Sequence, residues 1–435
     1  MLDKLLFKSV DNSALVVFRV FFGILISLES WGAILTGWVR RVLVEPKFTF
    51  NFIGFDFLQY LQGPYMYIHF FIMGVFGIMV AIGYRYRFSI IGFTVFWTIA
   101  YLMQKSSYNN HYYLLILISL MMCFFPAHRY HSVDAKKGYV KESLCMPNWV
   151  NIWVITQLFI VYSFASIAKL YPDWLDASVA KILMASRSHY WIVGDILQKD
   201  WTHIVVAYFG IFFDLLIVPL LLWKKTRKAA FVFSIFFHLF NSIVFQIGIF
   251  PYMSLAFSVF FFPPEKIRHL FLRKKEKFQV LNSEIVMTSR HQLIKAFVVI
   301  WMIVQVALPL RHHFIKNDVL WTEEAHRMSW RMMLRSKASS VQFYIKGEDV
   351  DYKRKVDLND YLTPKQQRSL SKPDVFWQFV QHLKKEYKNQ DVEFYANARI
   401  KVNNQKSRYL VHPDQELSQL KWNYFKHNDW LYLKE

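Results

Sequence analysis

The sequence predicts a mainly α fold: a polytopic bundle of about nine transmembrane helices carrying a small, mainly β domain at its C-terminal end. Three observations predict it. Apolar runs close to the length needed to cross a hydrocarbon core of about 30 Å recur from Ala14 to Leu310. Hydrophobic residues make up 54% of the chain and aromatic residues 19%, which is too apolar for an ordinary soluble protein. After Leu310 the long runs stop, charged residues become frequent and short alternating stretches replace them.

The runs are, in order, Ala14 to Leu35, Tyr65 to Gly83, Phe88 to Met103, His111 to Phe125, Val150 to Leu170, His203 to Trp223, Ala229 to Gly248, Ile249 to Phe262 and Leu293 to Leu310. Ile249 to Phe262, with Pro251 inside it and Pro263-Pro264 behind it, is the weakest and could be re-entrant. No small-residue cleavage signal follows the N-terminal segment, so the first run is expected to be retained as a span. With the N-terminus in the cytoplasm, one set of loops carries Arg85 and Arg87, Arg129 with Lys136 and Lys137, "KKTRK" (224–228) and "RKKEK" (273–277). The opposite loops are poorer in basic residues, as the positive-inside rule requires. That orientation puts residues 1–310 in the membrane and 311–435 outside the cytoplasm. A multi-pass membrane protein is expected.

Within the last part, "SSVQFYIKG" and "VEFYANARIKVNN" read as strands. "DVFWQFVQHLKKEY" reads as an amphipathic helix, with Phe376, Phe379, Val380 and Leu383 on one face.

Lys and Arg outnumber Asp and Glu by 52 to 31, a formal charge of +21. Because the excess sits in short clusters between apolar runs, it points to lipid headgroups as partners and not to nucleic acid. Two cysteines, Cys123 and Cys145, build no disulfide framework, and the sequence holds no Gly-rich phosphate loop, GxSxG elbow or HExxH. No metal site is expected.

Polar side chains inside apolar runs mark candidate sites, since lipid offers them no partner. Asn109, Asn110 and His111 open one run; Lys169 closes the next, with Tyr162 and Ser166 on its helical stripe and Gln157 deeper. His238 and Asn241 lie one turn apart, while Arg19, Glu29 and Asp214 complete the set. By depth, His111, Asn110 and Lys169 share one level near the outer surface, where they could line a pocket. Plainer readings stand beside these. Lys169 could snorkel at a helix end, His238 and Asn241 could be interhelical glue, and Arg19 could be the counter-ion of Asp214 or Glu29.

Three segments in fixed order carry a resemblance: "NNHYYL", "QLFIVYSFASIAKLYPDWL" and "FFHLFNSIVFQIGIFPYM". Together with "DNSALVVFRVFFGILI", "WTEEAHRMSWRMML" and "VHPDQEL", they make the chain similar to the vitamin K-dependent gamma-glutamyl carboxylases and their bacterial HTTM-domain relatives. The resemblance implies an integral membrane enzyme that oxygenates a reduced quinone to its epoxide and couples this to carboxylation of glutamate. Reduced vitamin K or menaquinol, O2 and CO2 are the implied cofactor and co-substrates. A glutamate-containing peptide or protein is the implied partner. It also implies that Lys169 is the base that starts the reaction and that His111 orients the quinone oxygens and steadies negative charge. Asn110, Asn109, Gln157, Tyr162, His238 and Asn241 are the implied cofactor-binding residues.

For the acidic substrate, Trp330 matches a family tryptophan, but His326 stands where the animal enzymes have tyrosine, Arg335 where they have histidine and Lys337 where they have arginine. Arg335 and Lys337 could hold a carboxylate; the plainer alternative is a basic patch on lipid phosphates. Lacking the longer C-terminal part of the animal enzymes, the chain is not expected to dock clotting-factor propeptides. Two other functions stay open: quinol epoxidation without carboxylation, and a transporter or scaffold that kept the fold alone.

Overall fold

The computed structural model describes residues 2–279, 287–347 and 353–433. Among the described residues, nine apolar helices occupy the expected runs: α1 (Ser13–Leu35), α2 (Tyr65–Ile82), α3 (Tyr86–Met103), α4 (Asn110–Phe124), α5 (Trp149–Ile167), α6 (Asp200–Leu222), α7 (Arg227–Val244), α8 (Phe250–Phe257) and α9 (Ser289–Leu310). Seven are long and apolar enough to cross a membrane; α4 and α8, the latter extended by a 3-10 turn to Phe261, are shorter. The reasons are local. Phe125 and Pro126 end α4 after 15 residues, a rise of roughly 22 Å. Pro251 starts α8, and Pro263 and Pro264 follow its 3-10 extension and open the next short helix.

α1 and α2 pack backbone to backbone. A Cβ on Gly23 would lie 2.3 Å from the Ala81 nitrogen, and Ser27 Oγ donates to the Gly74 carbonyl at 2.6 Å. Gly23→Val is therefore expected to force the two helices apart. That should cost roughly 1–3 kcal/mol and lower the unfolding temperature of the purified protein; an unchanged temperature would contradict this contact.

Arg19 pairs with neither Asp214 nor Glu29 among the described residues. Its guanidinium donates at 2.7–3.3 Å to the carbonyl of Ala81 in the last turn of α2 and to those of Ala127, Tyr130 and His131 in the loop after α4. Nearby, strands β1 (Ser9–Asp11) and β2 (Cys145–Pro147) pair antiparallel, and Lys275 clasps Asp11 at 2.7 Å, closing this end of the bundle.

The other end carries the C-terminal sheet. Strands β3 (Lys337–Gly347), β4 (Arg354–Lys355), β5 (Val392–Val402) and β6 (Arg408–Tyr409) form one antiparallel sheet in the order β4-β3-β5-β6. Alternate residues Phe394, Ala396, Ala398, Ile400 and Val402 are buried. They meet Phe376, Phe379, Val380 and Leu383 of helix α10 (Pro373–Glu386), so the periods of two and 3.6 read in the sequence face each other across one core.

This unit docks through buried polar contacts. Asp374 pairs with Lys105 at 2.9 Å and with both terminal nitrogens of Arg327 at 2.5 and 3.2 Å. Gln366 donates to the Phe48 carbonyl and Gln378 to that of Asn51, both in the loop between α1 and α2.

Candidate functional site

A cavity of about 450 Å³ lies among α5, α6, α7, the start of α4 and the start of α8. Its walls are apolar for most of their extent, with Phe209, Phe237, Phe240 and Phe250 among them. Val205, Phe209 and Phe236 line it and are also exposed, so between α6 and α7 it reaches the lipid-facing surface.

The polar groups gather on its walls. Lys169 follows the last turn of α5, where its amine donates to the Ala165 carbonyl at 3.2 Å and pairs closely with Asp214 of α6. Both side chains are buried, at 8% and 7% exposure, so the pair is held out of bulk water. The helix end favours a cation there because its carbonyls point at it. The Trp174 ring sits 5.6 Å from the amine, and its indole is fixed by donation to the Ala207 carbonyl at 3.0 Å. His111 stacks on Phe250 with centroids 4.2 Å apart. His238 is buried, and its Nε2 meets the Tyr162 hydroxyl at 3.2 Å while its Nδ1 has no partner among the described residues. Asn241 also lines the cavity, although its amide donates to the Phe237 carbonyl one turn back.

Five of the candidates read from the sequence thus converge: Lys169, His111, Tyr162, His238 and Asn241. Three do not. Asn109 is the N-cap of α4, accepting from the Tyr112 nitrogen at 2.8 Å, and it faces a second cavity beside Glu29 and His111. Asn110 donates to the Arg331 carbonyl and accepts from the Tyr108 hydroxyl, which makes it a tether. Gln157 sits deeper and is held by Trp301 and Gln305. The three adjacent polar residues that open α4 therefore do three different jobs. Successive residues of a helix point about 100° apart, so they cannot face one ligand together.

The tether leads to the segment between residues 323 and 337, which separates two cavities. Met332 and Met333 line the membrane cavity, whereas His326, Arg327, Arg335 and Lys337 line a cavity of about 480 Å³ under the C-terminal unit. The segment is strained. Glu323, Ala325, Met328, Trp330 and Met333 all have positive φ between 54° and 59°, five of the eleven such non-glycine residues described. It is held there by Asn110, by the Tyr108 hydroxyl accepting from the Met328 nitrogen at 2.6 Å, and by Tyr171 bonded to the Leu334 carbonyl. Trp330 is buried against Tyr113 and lines neither cavity.

Arg335 and Lys337 are both on Glu323, at 2.8 and 3.1 Å. Burial pushes the Glu323 carboxyl up, but these two cations outweigh it and hold it well below the usual carboxylate range. Glu323 and the role of Asp214 were missed in the sequence. The sequence offers Asp214 only as one of two alternative partners of Arg19, yet a lone acid and a lone base in neighbouring apolar runs carry the signal for a pair.

Residues 7–265 match the family model of the HTTM domain, and residues 290–435 match that of the vitamin K-dependent gamma-carboxylase lumenal domain. No solved structure matches the chain.

Proposed function

The chain belongs to the HTTM-domain family and carries the lumenal domain of the vitamin K-dependent gamma-carboxylases, and from that premise we propose that it oxygenates a membrane quinol and uses the result to carboxylate glutamate. It is a carboxylase-like multi-pass membrane protein. Residues 311–435 are placed on the non-cytoplasmic side of a bacterial inner membrane in this reading.

One observation carries the proposal. A buried amine–carboxylate pair, Lys169–Asp214, and two imidazoles, His111 and His238, line one apolar cavity open to the bilayer. A quinol head of reduced vitamin K or menaquinol fits such a site. Its ring needs apolar walls, its tail needs a path to lipid, and its hydroxyls need partners such as the unpartnered Nδ1 of His238.

When bound, the reduced quinone supplies, with O2, a base strong enough to take the γ-proton of glutamate, and CO2 adds to the resulting carbanion. The protein's own work is proton handling and orientation. The Lys169–Asp214 pair receives the quinol proton. With the proton they share held on Asp214, the Lys169 amine is neutral and able to accept, so the two residues act as one acceptor in a site shielded from water. His111, stacked on Phe250, and the Tyr162–His238 pair donate toward the quinone oxygens and steady negative charge that develops there. Trp174 and the phenylalanine walls exclude water that would otherwise quench a strong base.

Arg335 and Lys337 stand on the far side of the strained segment, where a substrate carboxylate would be drawn to them in place of Glu323. That engagement with Glu323 also favours a second reading, quinol epoxidation without carboxylation. Purified protein incubated with reduced vitamin K, O2, labelled bicarbonate and a glutamate peptide separates the two. Label in the peptide supports the first reading; epoxide alone supports the second; neither product would overturn both. Arg335→Ala is expected to spare epoxide formation and raise the peptide KM roughly 10-fold or more. Equal loss of both activities would count against its assignment to the peptide.

A further inference from the structure

Carboxylation leaves a proton behind. One quinol, one O2, one CO2 and one ionised glutamate side chain give the epoxide, one water, a side chain with two carboxylates, and one H+. The quinol is oxidised and O2 reduced; the γ-carbon loses its bond to hydrogen and gains one to CO2. That proton has to leave at every turnover. The Lys169–Asp214 pair is shielded from water, and water admitted to it would quench the base. The exit must therefore pass a proton without opening the membrane cavity.

A second cavity, of about 610 Å³, lies between the C-terminal half of α1, the start of α4 and the chain joining α7 to α8. His111, Phe245, Ile247 and Met333 line both it and the membrane cavity, and of these only the imidazole can carry a proton. Neither ring nitrogen of His111 has a hydrogen-bond partner among the described residues. Glu29 of α1 and Tyr112 are the other titratable groups on the walls of the second cavity. Among the described residues no cation pairs with the Glu29 carboxylate; it meets the Tyr112 hydroxyl, and a Cβ on Gly248 would lie 3.8 Å from one of its oxygens. An acid kept in an apolar run without a cation is destabilising, and such residues mark proton and ion pathways. Thr36, about 10 Å further along α1, and Gln246 line the same cavity and are exposed, so it reaches the surface at the helix ends. The Glu29 charge repels a substrate carboxylate, which suits this cavity to a proton and not to the peptide.

Resting on the carboxylation reading above, we infer that His111 and Glu29 form a relay that exports the proton of each carboxylation through the second cavity. The Lys169–Asp214 pair gives a proton to one ring nitrogen of His111, and the other ring nitrogen gives its proton, through water, to a Glu29 carboxylate oxygen. Glu29 releases it at the mouth. The imidazole thus passes a proton where Phe245 and Ile247 beside it block water.

The test uses the full chain in lipid discs with reduced vitamin K, O2, labelled bicarbonate and a glutamate peptide. With enzyme in excess over quinol, Glu29→Gln is expected to label the peptide at the parental rate, because one proton can stay in the site. That first turnover also reports a folded site. At steady state the same variant is expected to be about 10-fold or more slower, and Glu29→Ala is expected to regain turnover when imidazole is added as a diffusible base. Equal losses in both regimes, no loss at steady state, or no rescue would overturn the relay, while label from the parent protein upholds carboxylation. Epoxide without label from the parent would leave no proton to export and overturn both. One measurement needs no turnover: Glu29→Cys, with Cys123→Ser and Cys145→Ser, is expected to react with a charged, water-soluble thiol reagent. A folded variant that resists the reagent would show that the cavity has no path to water and would overturn the relay.

Discussion

Replacement of Lys169 by alanine is expected to remove quinol epoxidation, with a loss of at least about 10²–10⁴-fold in kcat, because the variant has no buried amine in the membrane cavity. Asp214→Asn is expected to fall by a similar factor, since the pair accepts the proton as a unit and the amide has no proton-accepting carboxylate oxygen. The double variant should then be little worse than either single one. The measurement is epoxide formed per minute from reduced vitamin K at saturating quinol, with quinol affinity followed separately. Multiplicative losses would show two independent roles, and full epoxidation by Lys169→Ala would sink the assignment. Both variants leave a buried charge or a gap, so a thermal melt must accompany the rates.

The second large effect is on stability. Asp374 is the buried carboxylate on which Lys105 and Arg327 converge, joining α10 to the membrane bundle. Asp374→Asn leaves two buried cations on a neutral amide and is expected to cost roughly 3–5 kcal/mol. It should be seen as early unfolding of the C-terminal unit in a thermal or protease assay. Burial pushes this carboxyl up, but Arg327 and Lys105 outweigh that and hold it down to about 2, below its ordinary 3.8. The sign follows: a depressed carboxyl stabilises the folded protein above pH 3.8, and that contribution is lost as pH falls towards 2. The unaltered protein should lose stability over that interval, and the asparagine variant should lack this step. A variant as stable as the parent at pH 7 would show that the contact is dispensable.

The residues differ in how far their neighbours in sequence announced them. Lys169 and His111 stood out because each lies in or beside an apolar run, where a polar side chain demands a partner. The antiparallel strands β3 and β5 and the helix α10 were legible from periodicity alone, and the helix boundaries differ from expectation by one residue. Asn109 and Asn110 misled because a helix start explains both, one as the cap and the other as a tether. Gln157 lies deeper along α5, as its position predicts, and there it meets Trp301 and Gln305 and does not line the cavity. Glu323 gave no sign, since its partners Arg335 and Lys337 are brought to it by a backbone that takes five left-handed turns without glycine.

By itself, the sequence determined the class of fold, the segments that enter the membrane and the side chains that could carry chemistry. Those follow from hydrophobic length, period and the cost of an unpaired polar group in lipid, all local quantities. Only the tertiary structure decided which of those side chains meet: Lys169 with Asp214, Arg19 with carbonyls, Arg335 with Glu323. Pairing depends on how helices rotate and pack and on where an irregular segment is pinned, and a sequence pattern records neither.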